Sequence, residues 1–411
     1  MLISPLTLDD DGCAKAWAGS GAMHLTGPAS GVPSVSPAGI VRPLLGLGDA
    51  LASVTGRLGA EVRVDALALA VQRAAFTGFG RNGSRSSGGF AQMVRARDGW
   101  VALNLPRLSD TETLPALVGA AVPACDWIEI ESRIASMTVR EVVQQGSELG
   151  LALSAVGATP VPPQPWSVRC ERPLRPRQGR TPVVVDLTSL WAGPLAGGLL
   201  AAAGCRVVKV ESALRPDGAR RGPVGFFDLL NGRKAHVSLN LPEPGAVDEL
   251  RQLIARSDLV LESSRPRVMQ QWGICPEDVV AAGTAWVSIT GHGRRGPDRN
   301  RIAFGDDAAV SGGLVVAGDP PMFVGDAIAD PIAGLAAASA AAGLLAEGRA
   351  ALVDVSLAGA AAWARGRAGN EIERPVVPDG SGWAVELSDG PVPVRPPAVP
   401  DRLTARPPAT G

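Results

Sequence analysis

The stretch 183-VVVDLTSLWAGPLAGGLLAAAGCRVVKVE-211 decides the fold. Its opening run 183-VVVDL-187 has the length and the branched apolar composition of a buried strand. The segment 192-AGPLAGGLLAAAG-204 is small and apolar and closes on glycine, the residue that most readily ends a helix. Branched residues return in 206-RVVKVE-211, so the stretch predicts a strand, a helix and a second strand. The alternation continues with a helix at 247-VDELRQLIARS-257, a strand at 258-DLVLES-263, a helix at 276-PEDVVAAG-283 and a strand at 285-AWVSIT-290. Strands spaced by helices in this way imply an α/β protein with a doubly wound parallel, Rossmann-like sheet covered on both faces.

Upstream the pattern is less regular. A helix at 61-EVRVDALALAVQRAAF-76, a Gly/Ser loop at 80–89, a strand at 99-GWVALNL-105 and a helix at 138-TVREVVQQGSELG-150 suggest a smaller α+β region. The Pro- and Arg-rich 158-ATPVPPQPWSVRCERPLRPRQGRTP-182 reads as a linker without regular structure, because proline removes donors and restricts its neighbours. A second Pro-rich stretch, 391-PVPVRPPAVPDRLTARPPATG-411, reads as a frayed tail. The expected organisation is therefore 1–157, a linker at 158–182, the α/β region at 183–390 and a tail at 391–411.

Composition narrows the function classes. Lys+Arg number 39 against Asp+Glu 40, which leaves no basic excess for a nucleic acid or an anionic membrane. The runs 196-AGGLLAAAG-204 and 333-AGLAAASAAAGLLAEG-348 are Ala- and Gly-rich and fall short of the roughly 20 strongly apolar residues of a membrane span, so they read as packed helices. The acidic N-terminus lacks the basic start of a secretory signal, and a cytoplasmic location is expected. Five cysteines (Cys13, Cys125, Cys170, Cys205, Cys275) and three histidines (His24, His236, His292) are scattered, which predicts neither a disulfide framework nor a metal site. Only Lys15, Lys209 and Lys234 are lysines.

An internal repeat relates 48-GDALASVTGRLGAEVRVDALALA-70 to 325–359, and aligning the two places Ser53 opposite Asp330. Two G-x-G-x-x-G strings, 78-GFGRNG-83 and 291-GHGRRG-296, lack the strand-then-helix setting of a dinucleotide loop. Neither a G-x-S-x-G nor a Walker loop occurs. Asp330 stands alone in the apolar 327-AIADPIAG-334. It either caps the Ala-rich helix with Pro331 behind it, or serves as a nucleophile sharpened by apolar surroundings. Lys209, Arg233, Lys234 and Arg265 fall near predicted strand ends, where they are either solvated surface or partners for phosphates.

These residues resemble class III CoA-transferases of the CaiB/BaiF type, the group of formyl-CoA transferase, carnitine CoA-transferase and α-methylacyl-CoA racemase. The matching motifs are 185-VDLTSLWAGPLAGGLLAAAGCRVVKVE-211, 230-LNGRKAHVSLNL-241, 259-LVLESSRPRVMQQWGI-274, 287-VSITGHGRRGPDR-299 and 325-GDAIADPIAGL-335, in family order. Residues 17–157 resemble the family's later portion, so the chain looks like two fused partial copies in permuted order. The resemblance implies a CoA-transferase moving CoA between an acyl-CoA thioester and a carboxylic acid acceptor, with Asp330 as the residue that forms an aspartyl-CoA intermediate. It also places Lys209, Arg233, Lys234, Arg265 and Arg301 around CoA, with no tightly bound cofactor, and allows a homodimer. The family's E-N-F-R-P is here 262-ESSRP-266, and 305-GDD-307 interrupts its A-F-D-L pattern. A noncatalytic acyl-CoA-binding pseudoenzyme is the alternative. An acyl-CoA racemase or isomerase is less favoured, because Phe304 occupies the position of the histidine that racemase members use.

Overall fold

The computed structural model describes residues 8–35, 39–119, 127–176, 179–241, 243–366, 372–399 and 405–406. Cys125 and most of the tail beyond 399 lie outside them. In the first part of the chain, α1 (Asp10–Gly19), α2 (Val41–Gly56) and α3 (Gln72–Thr77) precede a separate small unit. That unit pairs β1 (Ala91–Ala96), β2 (Gly99–Asn104) and β3 (Ala152–Ala155) in one antiparallel sheet. Three helices pack on it: α4 (Leu108–Leu117), α5 (Trp127–Ser136) and α6 (Val139–Glu148). Its own core gathers Val101, Leu103, Leu114, Ile130, Ile134 and Leu153. The helix expected at 138–150 forms as α6, started by a reciprocal box in which Thr138 caps the Glu141 N–H and Glu141 accepts from the Thr138 N–H.

The second part carries β4 (Ser167–Pro173), β5 (Val183–Leu187), α7 (Ala192–Ala202), β6 (Arg206–Ser212), α8 (Val224–Asn231) and β7 (Ala235–Leu239). Then follow α9 (Pro244–Arg256), β8 (Leu259–Glu262), α10 (Pro266–Gln271), α11 (Pro276–Ala281) and β9 (Ala285–Thr290). After them come α12 (Gly305–Ser311), α13 (Ala329–Glu347), β10 (Arg349–Ser356) and α14 (Leu357–Arg365). Seven strands form one sheet in the order β4-β10-β9-β8-β5-β6-β7. All neighbours are parallel except the edge pair β4–β10. The chain leaves β5 for β6 on one side and returns with β8 on the other, so the winding reverses at β5. In such sheets the crevice outside the carboxyl ends of the strands, at the point of reversal, receives the ligand.

Helix α13 is apolar all round because it is enclosed all round, by α2, α7, α14 and the sheet. The close approach of α13 to α7 rests on small residues: a Cβ at Gly334 would stand 2.7 Å from the Ala192 carbonyl oxygen. Both parts of the chain contribute to this core, with Trp17, Leu44 and Leu51 in the same cluster as Val260, Trp286 and Leu335.

Four local expectations are corrected. The linker contains β4, a fully exposed edge strand whose charged, proline-terminated sequence suits a position that needs only one partner. The expected 61–76 helix is broken, because the Asp65 carboxylate accepts from the Leu67 and Ala68 N–H groups and starts a new turn there. The tail begins ordered: β11 (Val376–Asp379), β12 (Gly382–Leu387) and β13 (Gly390–Pro393) pair antiparallel, and the Arg395 N–H reaches the Ala18 carbonyl. The repeated G-D-A strings are not equivalent, since 48–50 lies inside α2 whereas 325–327 is the loop before α13. Ser53, exposed in the last turns of α2, is therefore not the counterpart of Asp330.

Candidate active site at the carboxyl edge of the sheet

Helix α13 runs directly into β10 through Gly348, whose left-handed φ of 64° makes the turn. Its C-terminus therefore lies at the amino end of β10 and its N-terminus, with Asp330, at the carboxyl edge of the sheet. Asp330 is the second residue of the helix, and no side chain caps that terminus. The capping role is thereby excluded. Among the described residues, its carboxylate receives no hydrogen bond.

The preceding turn is tightly held. Its Gly325 N–H donates to Thr26 Oγ1, and its carbonyl accepts from Ser87 Oγ. Asp326 is fully buried and takes two bonds from Arg73 on α3, Nε to Oδ2 at 2.8 Å and Nη2 to Oδ1 at 2.5 Å. Ala327 adopts φ of 45°, a conformation uncommon for a residue with a side chain, while its N–H donates to Asp306 Oδ1 at 2.9 Å. Asp307 accepts from the Phe304 N–H and from Asn104 Nδ2 on β2. The Arg73 guanidinium lies 5.1 Å from the Trp191 ring centre, just beyond β5, and Trp191 meets Phe226 edge-on.

Four carboxyl groups thus share one region with one guanidinium. Burial pushes Asp330 up to about 7; Arg73 opposes this, and the charges of Asp306, Asp307 and Asp326 reinforce it. Burial likewise raises Asp306 to about 6 and Asp307 to about 7. Near neutral pH such a carboxylate is less solvated than one on the surface, which favours attack on a carbonyl carbon.

The basic residues divide. Lys209 and Lys234 are buried and correct the expectation that they face phosphates. Lys209 Nζ donates to Asp217 Oδ2 and the Thr188 carbonyl, each at 2.9 Å. Lys234 Nζ binds Asp186 Oδ2 at 2.7 Å, the Pro194 carbonyl and Asn231 Oδ1. Asp186 also accepts from the Thr188 N–H and hydroxyl, and Asp217 accepts from the Leu190 N–H. Together the two ion pairs brace the Thr188–Trp191 turn from beneath; in that turn Leu190 has φ of 70°. Arg301 is also committed, to the Leu153 carbonyl at 2.8 Å and to Asp298, so it joins the two parts of the chain.

Arg233 is exposed, and Arg265 half-buried at the start of α10. Burial and the neighbouring Arg267, Arg107 and Arg215 all lower the Arg265 pKa, because cations gather around it; Arg107 is itself held by Asp110. The two serines of 262-ESSRP-266 shape this turn, Ser263 Oγ accepting from the Ser189 N–H and Ser264 Oγ donating to Glu262. Arg267 also lines a cavity of about 410 Å³ with Arg294, Arg295 and Arg299, which none of the four acids enters. The 291–296 string is followed by a single 3-10 turn instead of a helix, in keeping with its exclusion as a dinucleotide loop. Phe304 presents only its ring, with Arg107 near it, and supplies no proton acceptor. Arg73, Asn104, Trp191, Asp306, Asp307 and Asp326 were not singled out from the sequence as parts of this region.

An open doubly wound parallel sheet, with the Asp330 carboxylate at its carboxyl edge and several arginines around its point of reversal, defines the class as an α/β protein. More particularly, residues 182–381 match CoA-transferase family III. Succinyl-CoA–D-citramalate CoA-transferase of Chloroflexus aurantiacus is 30% identical over 181 residues, 41% of this chain and 44% of that protein. Succinyl-CoA:glutarate CoA-transferase of Mus musculus is 32% identical over 176 residues, 39% of this chain and 40% of that protein. The crystal structure of Rv3272 from Mycobacterium tuberculosis aligns with a TM-score of 0.45 and 27% identity, covering 53% of this chain and 64% of that one. The chain matches less than half the length of these curated relatives.

Proposed function

We propose that the protein transfers CoA from an acyl-CoA thioester to a carboxylic acid, with Asp330 as the nucleophile. The observation that carries this reading is the Asp330 carboxylate itself: uncapped, without a hydrogen-bond donor among the described residues, and set at the carboxyl edge of the sheet in the region that matches family III. In the first step an Asp330 oxygen attacks the acyl carbonyl, and the CoA thiolate leaves a mixed anhydride. The thiolate then attacks the aspartyl carbonyl, releasing the donor acid and forming aspartyl-CoA. The acceptor carboxylate reverses the sequence, and Asp330 is regenerated. Arg265, with Arg107, Arg215 and Arg267 nearby, supplies the positive field for the CoA phosphates. Lys209, Lys234 and Arg301 act one step removed by holding the turns around the site.

Succinyl-CoA is the first donor to test, since it is named in two of the relatives. Intact-mass spectrometry after mixing with succinyl-CoA and other thioesters, followed by a hydroxylamine quench, is expected to show a hydroxamate at Asp330, absent in Asp330→Ala. Retention of acyl-CoA with no adduct from any donor would favour the noncatalytic acyl-CoA-binding alternative.

A further inference from the structure

Asp326, four residues before Asp330, is clamped by a guanidinium from a helix 253 residues away in sequence. The clamp uses Nε and Nη2 together, and only one geometry satisfies both carboxylate oxygens. Trp191 covers the guanidinium, so its plane is fixed from a third side. The same turn carries the strained Ala327, whose conformation persists only if its surroundings hold it. The cation also stands among the acids Asp306, Asp326 and Asp330, which all act on its charge, and it remains about one quarter exposed.

We propose that Arg73 is a positioning residue of the Asp330 centre: its guanidinium, clamped by Asp326 and covered by Trp191, fixes the Gly325–Asp330 turn and holds a positive charge beside the nucleophile. This rests on Asp330 being the nucleophile. It gives the first part of the chain a direct part in the chemistry, since without α3 the acids of the second part would face one another with no cation between them. The charged and titratable groups acting on Asp330 are Arg73, Asp306, Asp307 and Asp326. Of these only Arg73 favours the ionised form.

The test is the rate of acyl-CoA adduct formation at Asp330 as a function of pH, in the full chain, for wild type, Arg73→Lys and Arg73→Met, with thermal unfolding of each. Arg73→Lys keeps a cation but cannot span both Asp326 oxygens; it is expected to slow adduct formation by about tenfold or more with little change in the pH midpoint. Arg73→Met removes the cation as well, and its midpoint is expected to rise by about one unit or more. Equal slowing in both variants with an unchanged midpoint would show a merely structural support and overturn the proposal. So would a wild-type rate in Arg73→Lys, which settles the matter even if Arg73→Met fails to fold. Absence of an adduct in the wild type would instead count against Asp330 as nucleophile.

Discussion

Asp330 Oδ2 lies 2.6 Å from the point that a Cβ would occupy at Gly305, and the Ala327 carbonyl oxygen lies 2.2 Å from that point. Helix α12 thus presses its bare backbone against the turn that carries Asp330. The glycine is required by this approach and by nothing in its own dihedrals, since it begins a regular helix.

Gly305→Ala is accordingly expected to displace the Ala327–Asp330 segment. Overpacking of this kind costs about 1–3 kcal/mol. Adduct formation should fall by about tenfold or more, because small misplacements at a reacting centre are expensive in rate. Thermal unfolding together with adduct kinetics checks both effects, and a wild-type adduct rate would show that the Asp330 position is not set by this contact.

Arg265 and Lys234 should respond oppositely to truncation. Arg265→Ala is expected to weaken acyl-CoA binding about tenfold, with a reduced salt dependence, and to change stability little. Lys234→Met leaves Asp186 charged and buried without its cation, a loss of about 3–5 kcal/mol. Isothermal titration with an acyl-CoA and chemical denaturation separate the two roles; normal stability in Lys234→Met would refute the bracing role.

Asp307 makes the fold sensitive to pH. Its folded pKa of about 7 stands above the ordinary 3.8, so between those values the folded state holds a proton that the unfolded chain has released. Stability from this group is therefore present at low pH and lost as pH rises through about 7. Asp307→Asn keeps an acceptor for the Phe304 N–H without the charge, and is expected to stabilise the protein above pH 7 by on the order of 2 kcal/mol. Unfolding free energies measured across this range check the sign: destabilisation at high pH would contradict it.

Strands and helices of 183–290 were legible because each has a uniform pattern: branched runs for β5, β6, β8 and β9, a small apolar run for α7. Asp330 was legible as a lone acid in apolar surroundings, and the structure excludes the capping role. What could not be read was pairing over distance. Lys209 and Lys234 look like surface cations until Asp217 and Asp186 are seen beside them. Arg73 is one arginine among many, and only the fold brings it to Asp326. The acids of 305-GDD-307 looked like a break in the motif, whereas they anchor Ala327 and Phe304 through backbone N–H groups. In 158–182, proline and arginine concealed an edge strand, since an edge demands little of its sequence.

The most direct test of Asp330 as nucleophile follows an oxygen atom. In the proposed sequence the acceptor carboxylate attacks aspartyl-CoA, and cleavage of the resulting anhydride leaves one acceptor oxygen on Asp330. Turnover of succinyl-CoA, or of the donor that the mass assay selects, with an acceptor acid labelled with heavy oxygen should therefore place the label in the Asp330 carboxyl, detectable in the peptide that contains it. Turnover that leaves this peptide unlabelled would contradict the account.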